Sequence, residues 1–358
     1  MNLREHFLEL GKQGVFADLA RRETLPRGAE RLRELAYEAS ALGPFISIVA
    51  TAGLGLPILE HARSPLLEDA CAGRVILAVA ITEREAGSDV MSMKTTLTRG
   101  PNGRLVLSGA KWHITNAPVA DAIIVFAIDA TTADRFLTAV LVRPADRGVR
   151  LGPPLDIIGC HGSPTGELSF DDVELGPERI LGRPHDGRML LDLAFVRERV
   201  LAPWPLLGKM EHVLESALDH VEKRMQFGKA LHEFQYVQEK IVSSFEELLY
   251  ARHLAERAVR LVAEGRSPGA IASLAKSAAA DAAAHCFKNA IEVLGSYGVQ
   301  TDRGLGQLLA DAMCAQIAGG TRETHKKVVF GELRLDRARA RGGRRSWLLR
   351  GQEDRGES

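Results

Sequence analysis

Apolar positions recur at helical spacing near both ends of this chain and at strand-like spacing in its middle. Leu3, Phe7, Leu8 and Leu10 open one helical pattern, and Leu32, Leu35 and Ala36 mark the buried side of the charged run from Arg27 to Glu38. From about residue 74 to 182 the period shortens. Ile123-Ile124-Val125-Phe126 and Leu137-Thr138-Ala139-Val140-Leu141-Val142 are β-branched runs, Glu167-Leu168-Ser169-Phe170 alternates, and Pro101-Asn102-Gly103, Asp146-Arg147-Gly148 and Gly152-Pro153-Pro154 supply turns. After Asp186 helical spacing returns at Met210, Val213, Leu214, Ala217, Val221 and Met225. It resumes beyond a turn at Gly228 with Phe234, Val237, Ile241, Phe245 and Leu248. Ser267-Pro268-Gly269 breaks the pattern before an alanine-rich helix over 270–294. The pattern predicts an α+β chain: an N-terminal helical domain over 1–76, a small central β-barrel or sandwich over 77–185, a four-helix bundle over 186–337 and a polar tail over 338–358.

An uncharged stretch over 39–59 is about long enough to span a bilayer. Gly43, Pro44, Gly53, Gly55 and Pro57 interrupt it, which predicts two shorter helices buried between subdomains and no membrane span. Composition changes little else. The 358 residues are 46% apolar, and 46 basic side chains balance 46 acidic ones, so no nucleic-acid partner is expected. Cys71, Cys160, Cys286 and Cys314 are widely spaced with no C-x-x-C pair, which predicts free thiols, no metal site and a reducing, cytoplasmic setting. The opening Met1-Asn2-Leu3-Arg4-Glu5 has mixed charge and no apolar core of a signal peptide, so secretion is not expected. Strands and helices do not alternate as βαβ units, and no Gly-x-Gly-x-x-Gly follows a strand, which argues against a Rossmann dinucleotide site. His161-Gly162-Ser163-Pro164-Thr165 offers a serine beside a histidine but lacks a strand-to-helix elbow.

Four motifs fall in a fixed order. They are Ala80-Ile81-Thr82-Glu83 running into Ala86-Gly87-Ser88-Asp89, Gly109-Ala110-Lys111 running into Ile114-Thr115-Asn116, Arg224-Met225-Gln226-Phe227-Gly228-Lys229, and Gly319-Gly320-Thr321. Together they resemble the acyl-CoA dehydrogenase family over roughly residues 75–335. The resemblance implies FAD, an acyl-CoA or acyl-carrier-protein thioester as substrate, and electron-transferring flavoprotein as acceptor. It also implies a homodimer or homotetramer, with a heteromer as an alternative, because the family's arginine and phenylalanine, here Arg224 and Phe227, reach the neighbouring subunit's FAD. A guanidinium suits a diphosphate because its planar fork donates two parallel hydrogen bonds. A surface i,i+4 charge pair is the alternative account of Arg224, and the adjoining Gln226-Phe227-Gly228 makes it the weaker one.

By the same resemblance Ile81, Thr82 and Thr115 contact the flavin ring. Ser88 lies by the CoA arm, Ser163 lies near the pantetheine path, and Arg199 and Gly320 flank the substrate. The two threonines also suit a sheet edge with no cofactor. The segment from Glu292 through Gly295 and Ser296 to Gly298 corresponds to the stretch over the diphosphate, and Thr321 and Glu323 to contacts at the adenine side and ribityl chain. Several positions depart from the family's pattern. His113, most simply a packing histidine with no chemical role, replaces a tryptophan at the flavin, Glu292 a glutamine and Ser296 a glycine, and the N-terminal part is short and lacks a Gly-Gly loop.

Removing the α-proton of a thioester while a β-hydride leaves for flavin N5 needs a carboxylate in a dry site with a raised pKa. Many family members carry that glutamate where this chain has Gly319. A second branch, which includes the isovaleryl and long-chain types, carries it on an earlier helix just before an arginine, and Glu198-Arg199 matches that arrangement. Arg197-Glu198-Arg199 also fits a solvated ion-pair face. With Glu198 as the base, Gly319 still contributes its backbone N–H, which with a flavin ribityl hydroxyl would polarise the thioester carbonyl. The expected activity is FAD-dependent α,β-dehydrogenation of an acyl thioester. Two alternatives stand beside it: an oxidase or monooxygenase on the same fold, motivated by His113, and a catalytically impaired subunit of a heteromer.

Overall fold

The computed structural model describes residues 2–100, 103–131 and 135–340. Its N-terminal part contains α1 (Leu3–Lys12), α2 (Val15–Ala20), α3 (Leu25–Glu38), α4 (Gly43–Val49), α5 (Leu56–His61) and α6 (Leu66–Cys71). Asn2 and Glu5 cap α1 reciprocally, each side chain bonding the other's backbone N–H. The apolar stretch is not split as its breakers suggested. A π-helical turn, Ala50–Gly55, joins α4 to α5, and the Leu56 N–H reaches back to the Thr51 carbonyl, five residues away. Gly43 and Pro44 open the run, where free N–H groups are expected anyway, and the wider turn accommodates Pro57. Gly43–His61 is long and apolar enough to cross a membrane by length and composition, but 78% of its most apolar window is buried inside the protein.

The central strands are β1 (Leu77–Ala80), β2 (Thr96–Arg99), β3 (Leu105–Thr115), β4 (Ala122–Asp129), β5 (Phe136–Val142), β6 (Val149–Leu151) and β7 (Thr165–Leu175). They form one sheet in the order β1-β4-β2-β3-β7-β6, with β5 antiparallel on β4. The sheet does not close into a barrel among the described residues. Strands β1 and β4 are parallel with no helix-bearing crossover of the Rossmann kind between them. Every residue of β4 is buried, because both its faces are covered. Ile123, Val125 and Ala127 join a core within the sheet with Leu107, Val140 and Phe170, whereas Ile124, Phe126 and Ile128 join the larger core of the helices.

The rest of the chain is helical: α7 (Gly187–Leu201), α8 (Pro203–Lys223), α9 (Gln235–Ala263), α10 (Gly269–Leu294), α11 (Leu305–Ile317) and α12 (Arg322–Ala340). Helix α10 is central and touches α7, α8, α9, α11 and α12. Its alanines allow that close approach: Ala272, Ala275, Ala279, Ala280, Ala282 and Ala283 are buried. The helical pattern through Met225 stops two residues early. A two-stranded hairpin, β8 (Met225–Gln226) and β9 (Lys229–Ala230), separates α8 from α9 and leaves Met225 exposed. Phe227 at φ +51° and Gly228 at φ +80° are its turn, and two left-handed central residues match the twist of the flanking strands. Of the expected polar tail, residues 338–340 end α12, and 341–358 lie outside the described residues. So do Pro101 and Asn102 of the first expected turn.

Candidate active site

Arg197-Glu198-Arg199 is not a solvated face. Arg197 and Glu198 are 7% and 6% exposed, and the Arg197 guanidinium donates to the Leu19 and Ala20 carbonyls at 2.9 and 3.2 Å, anchoring α7 on α2. The backbone at Glu198 packs on the π-helical turn, where a Cβ on Gly53 would stand 2.7 Å from the Glu198 Cα. At the other end of the side chain lies Gly319. Its φ is +66°, and a Cβ there would stand 2.5 Å from the Glu198 carboxyl carbon. A side chain at 319 and a carboxylate reaching up from 198 therefore exclude each other.

Burial pushes the Glu198 carboxyl above the ordinary glutamate range, with the cations Lys276 and Arg199 pulling the other way. Its Oε2 has no hydrogen-bond partner. A buried, unsatisfied acceptor is unfavourable by about 1–3 kcal/mol, so this oxygen is poised for a proton or a donor. It faces a small cavity of about 90 Å³, walled mainly by Phe45, Ile46, Val49, Leu54, Leu206 and Ala315, with Thr115, Lys276 and Asp311 as its other polar groups. The Asp311 carboxylate accepts from the Cys160 N–H at 2.5 Å and the Gln307 amide at 2.7 Å, which ties the loop before β7 to α11.

The first two motifs are stapled to each other by buried charge. Lys111, 1% exposed, donates to the Ile81 carbonyl at 2.9 Å and to the Glu83 carboxylate at 3.0 Å. Glu83 also accepts from the Lys94 N–H at 2.6 Å, and from the Thr95 N–H and hydroxyl at 3.0 and 2.6 Å. Burial pushes the Glu83 carboxyl up, but these donors and Lys111 together hold it below the usual range; burial lowers the Lys111 ammonium to about 8 against the pull of Glu83. Asn116, in the left-handed region at φ +68°, donates to the Leu77 carbonyl at 2.9 Å and the Ser47 carbonyl at 3.2 Å. The end of β3 is thereby fixed against β1 and α4.

Ile81 is buried, and Thr82 and Thr115 are half-buried at the ends of their strands. A register shift in the pairing of β3 with β7 lies between Lys111 and Ile114, and it turns His113 outward at φ +55°. The neighbouring Trp112 carries the Arg84 guanidinium 3.6 Å from its ring centre. Ser88 is exposed on the loop after β1. Ser163 is 3% exposed with its hydroxyl 2.8 Å from that of Ser47. Arg199 is largely buried beside Glu198, with its Nε unpartnered. Gly320 adopts φ +115°, and Thr321 accepts from the Thr324 N–H to start α12, where Glu323 is exposed.

The remaining expected cofactor groups lie elsewhere. Arg224 lines a separate cavity of about 730 Å³ with Tyr297, Arg303 and His220, and its guanidinium lies 5.9 Å from the Tyr297 ring centre. Phe227 is 93% exposed at the hairpin tip. Gly295 and Ser296 are exposed at the end of α10. Glu292 there is paired with Lys240 and, at 3.0 Å, with Lys288, and these cations hold its carboxyl down at about 2. The repulsion that a glutamate would bring to a diphosphate is thus met by two ammonium groups.

Sequence reasoning missed Lys276 and His325. Lys276 is 4% exposed and donates to the Ala318 and Gly320 carbonyls. His325, 2% exposed, has both ring nitrogens unpartnered; burial lowers it to about 4, helped by the nearby Lys276 and Arg199. Lys276 stands as the one charge within Ala270-Ile271-Ala272-Ser273-Leu274-Ala275-Lys276-Ser277-Ala278-Ala279-Ala280, and that isolation was the available signal.

Residues 78–173 match the acyl-CoA dehydrogenase middle domain and residues 185–333 the acyl-CoA dehydrogenase C-terminal domain. The chain is 32% identical over 303 residues to an acyl-CoA dehydrogenase of Bacillus subtilis (strain 168), covering 83% of this chain and 79% of that protein. It is 30% identical over 342 residues to the mitochondrial isovaleryl-CoA dehydrogenase of Pongo abelii, covering 92% and 80%. Among solved structures, the prolyl acyl carrier protein oxidase AnaB superposes with a TM-score of 0.86 at 25% identity, covering 93% of this chain and 91% of that one. The chain belongs to the acyl-CoA dehydrogenase family.

Proposed function

We propose that this chain is an FAD-dependent oxidoreductase that introduces an α,β-double bond into an acyl thioester, with Glu198 as the base that takes the α-proton. One observation carries the reading: a buried carboxylate with an unpartnered oxygen shares a cavity with Thr115, directly beneath a glycine turn that leaves room for it. The residues suit FAD. Ile81, Thr82 and Thr115 stand at strand ends fixed by Lys111 and Asn116, so their hydroxyl and backbone groups are preorganised for a planar ring. Bound there, FAD supplies the two-electron oxidation that accompanies proton removal.

The chain's own residues account for the proton. Apolar walls exclude water and raise the affinity of Glu198 for a proton, which matches the base to a weakly acidic C–H. The Gly319 N–H is the donor we assign to the thioester carbonyl, where charge develops as the proton leaves. CoA or a carrier protein presents the acyl group; the likeness to a family member named for an acyl carrier protein substrate supports the second carrier as well as the first. Arg224, Phe227 and the segment from Glu292 to Ser296 are assigned to the FAD of a neighbouring subunit, and electron-transferring flavoprotein to the role of acceptor.

The test is the visible spectrum of the purified protein mixed anaerobically with short and branched acyl thioesters. A flavin band that bleaches in the wild type, and bleaches about 10²–10⁴-fold more slowly in Glu198→Gln, is the expected result. Equal bleaching in both proteins removes Glu198 from the role, and absence of a flavin band from an otherwise folded oligomer removes the dehydrogenase reading. Admitting air after bleaching separates an oxidase, whose band returns at once, from a dehydrogenase. His113, exposed on the register shift, is the residue that motivates that arm.

A further inference from the structure

We propose that Lys276 is a positioning residue for this site: it clamps the glycine turn that roofs the Glu198 carboxylate and supplies the hydrogen-bond donor that meets that carboxylate when it is ionised. The inference rests on the assignment of Glu198 as base. An ammonium has three N–H donors. Two are taken by backbone carbonyls on either side of Gly319, those of Ala318 and, at 3.0 Å, Gly320. The third has no acceptor among the hydrogen bonds of the described residues, and two buried acceptors lining the same cavity have no donor, Glu198 Oε2 and Asp311 Oδ2. Of the two carboxylates, Glu198 is the one whose charge acts on Lys276, so it is the one we assign to the free N–H.

Holding a lysine at 4% exposure in the middle of an alanine-rich helix is unfavourable unless its charge is met. Two neutral carbonyls on a half-exposed turn could be satisfied by water, so the clamp alone does not account for a buried charge at this point. The groups around Glu198 are few. Arg199 comes from α7 itself, Lys276 from α10, and Asp311 from α11 lines the same cavity. His325 from α12 is held neutral by burial and by the charges of Lys276 and Arg199. The α4–α5 run contributes Gly53 and apolar side chains. Lys276 is therefore the cation that both lines the cavity and grips the turn. Burial drives its own proton affinity down, and the charge of the nearby Glu198 carboxylate restores part of it.

The experiment is the pH dependence of anaerobic flavin bleaching in the intact protein, using a short-chain acyl thioester. It compares the wild type with Lys276→Met, Lys276→Gln, Glu198→Gln and the double variant Lys276→Met/Glu198→Gln. Without the ammonium, Glu198 ionises later, so the midpoint of the acid limb moves up by about one pH unit or more in both single Lys276 variants, a roughly tenfold loss of rate below it. Lys276→Gln keeps two N–H donors for the turn without the charge. It carries the test if Lys276→Met fails to fold, and a merely structural lysine would leave its midpoint in place. Because Lys276 acts through Glu198, the double variant bleaches no more slowly than Glu198→Gln alone. An unmoved midpoint in Lys276→Gln, or a further loss in the double variant, overturns the proposal while the base stands. Wild-type bleaching in Glu198→Gln overturns the base itself.

Discussion

At the scale of single residues, the site is defined by an exchange of space. The Glu198 carboxyl occupies the volume that a Cβ at 319 would claim, and the backbone at 319 is left-handed, where side chains are strained in any case. Gly319→Ala is therefore expected to push the carboxylate aside without unfolding the chain, because the turn is half-exposed. A displacement of about 1 Å at a base costs on the order of 10²-fold in rate. We expect that loss in flavin bleaching, with the thermal midpoint falling by only a few degrees. A variant that bleaches at the wild-type rate would show that Glu198 does not work beneath Gly319. Ionisation supplies a second outcome at this scale. Burial raises the Glu198 pKa, and a general base works in its charged form, so the rate climbs with pH through a midpoint above the ordinary glutamate value of about 4.3. Stopped-flow bleaching followed from about pH 4 upward locates that limb, and a midpoint at or below the ordinary glutamate value contradicts a raised carboxyl.

Among the elements, β1 and β3 owe their relative position to the buried Lys111–Glu83 pair and to Asn116. Removing one partner of such a pair leaves the other charge uncompensated, which destabilises by about 3–5 kcal/mol. Lys111→Met is expected to lose stability of that order in urea titration and to retain less flavin, since Ile81 is held through its carbonyl. Equal stability in both proteins would mean that Thr95 and the Lys94 N–H satisfy Glu83 alone.

The same elements show what a sequence can reveal. β4 and β5 were legible because β-branched runs between turn residues have few other solutions, and the long helices because their apolar positions keep one period. The hairpin at 225–230 was not legible. Met225 continues the helical spacing, and only the conformation of Phe227 and Gly228 breaks it. The π-helical turn escaped for the opposite reason, since glycines and a proline that usually end helices are here absorbed by a wider turn. Glu198 stood out in the sequence only as half of a Glu-Arg pair, and its burial was not legible, because Arg-Glu-Arg reads identically on a wet face and in a core. What decides between them is Leu19 and Ala20, which lie far away in sequence and accept the Arg197 guanidinium.

For the whole molecule, the groups assigned to one cofactor do not share one cavity. Thr115 lines the small cavity with Glu198, whereas Arg224 lines the larger one with Tyr297, and Phe227 projects almost fully into solvent. Tyr236, Phe245 and Tyr250 on α9 are also exposed, at 89%, 51% and 66%. Large exposed aromatics grouped on one helix and its adjoining hairpin are the kind of surface that a second subunit covers. A two-fold dimer would complete each site with the ring contacts of one chain and the phosphate contacts of the other. Two inactive variants test this arrangement. On the proposed roles, Arg224→Glu would keep Glu198 but spoil the partner's FAD site, and Glu198→Gln would hold FAD but lack the base. In a hybrid dimer, the site that uses Glu198 of the first variant receives Arg224 from the second and is whole, while the other site carries both defects. Random co-assembly in equal amounts makes half the dimers hybrid with one good site each, so co-expression is expected to restore about a quarter of wild-type bleaching per subunit. If Arg224 instead served its own chain, every site in every dimer would still carry one of the two defects, and co-expression would restore nothing.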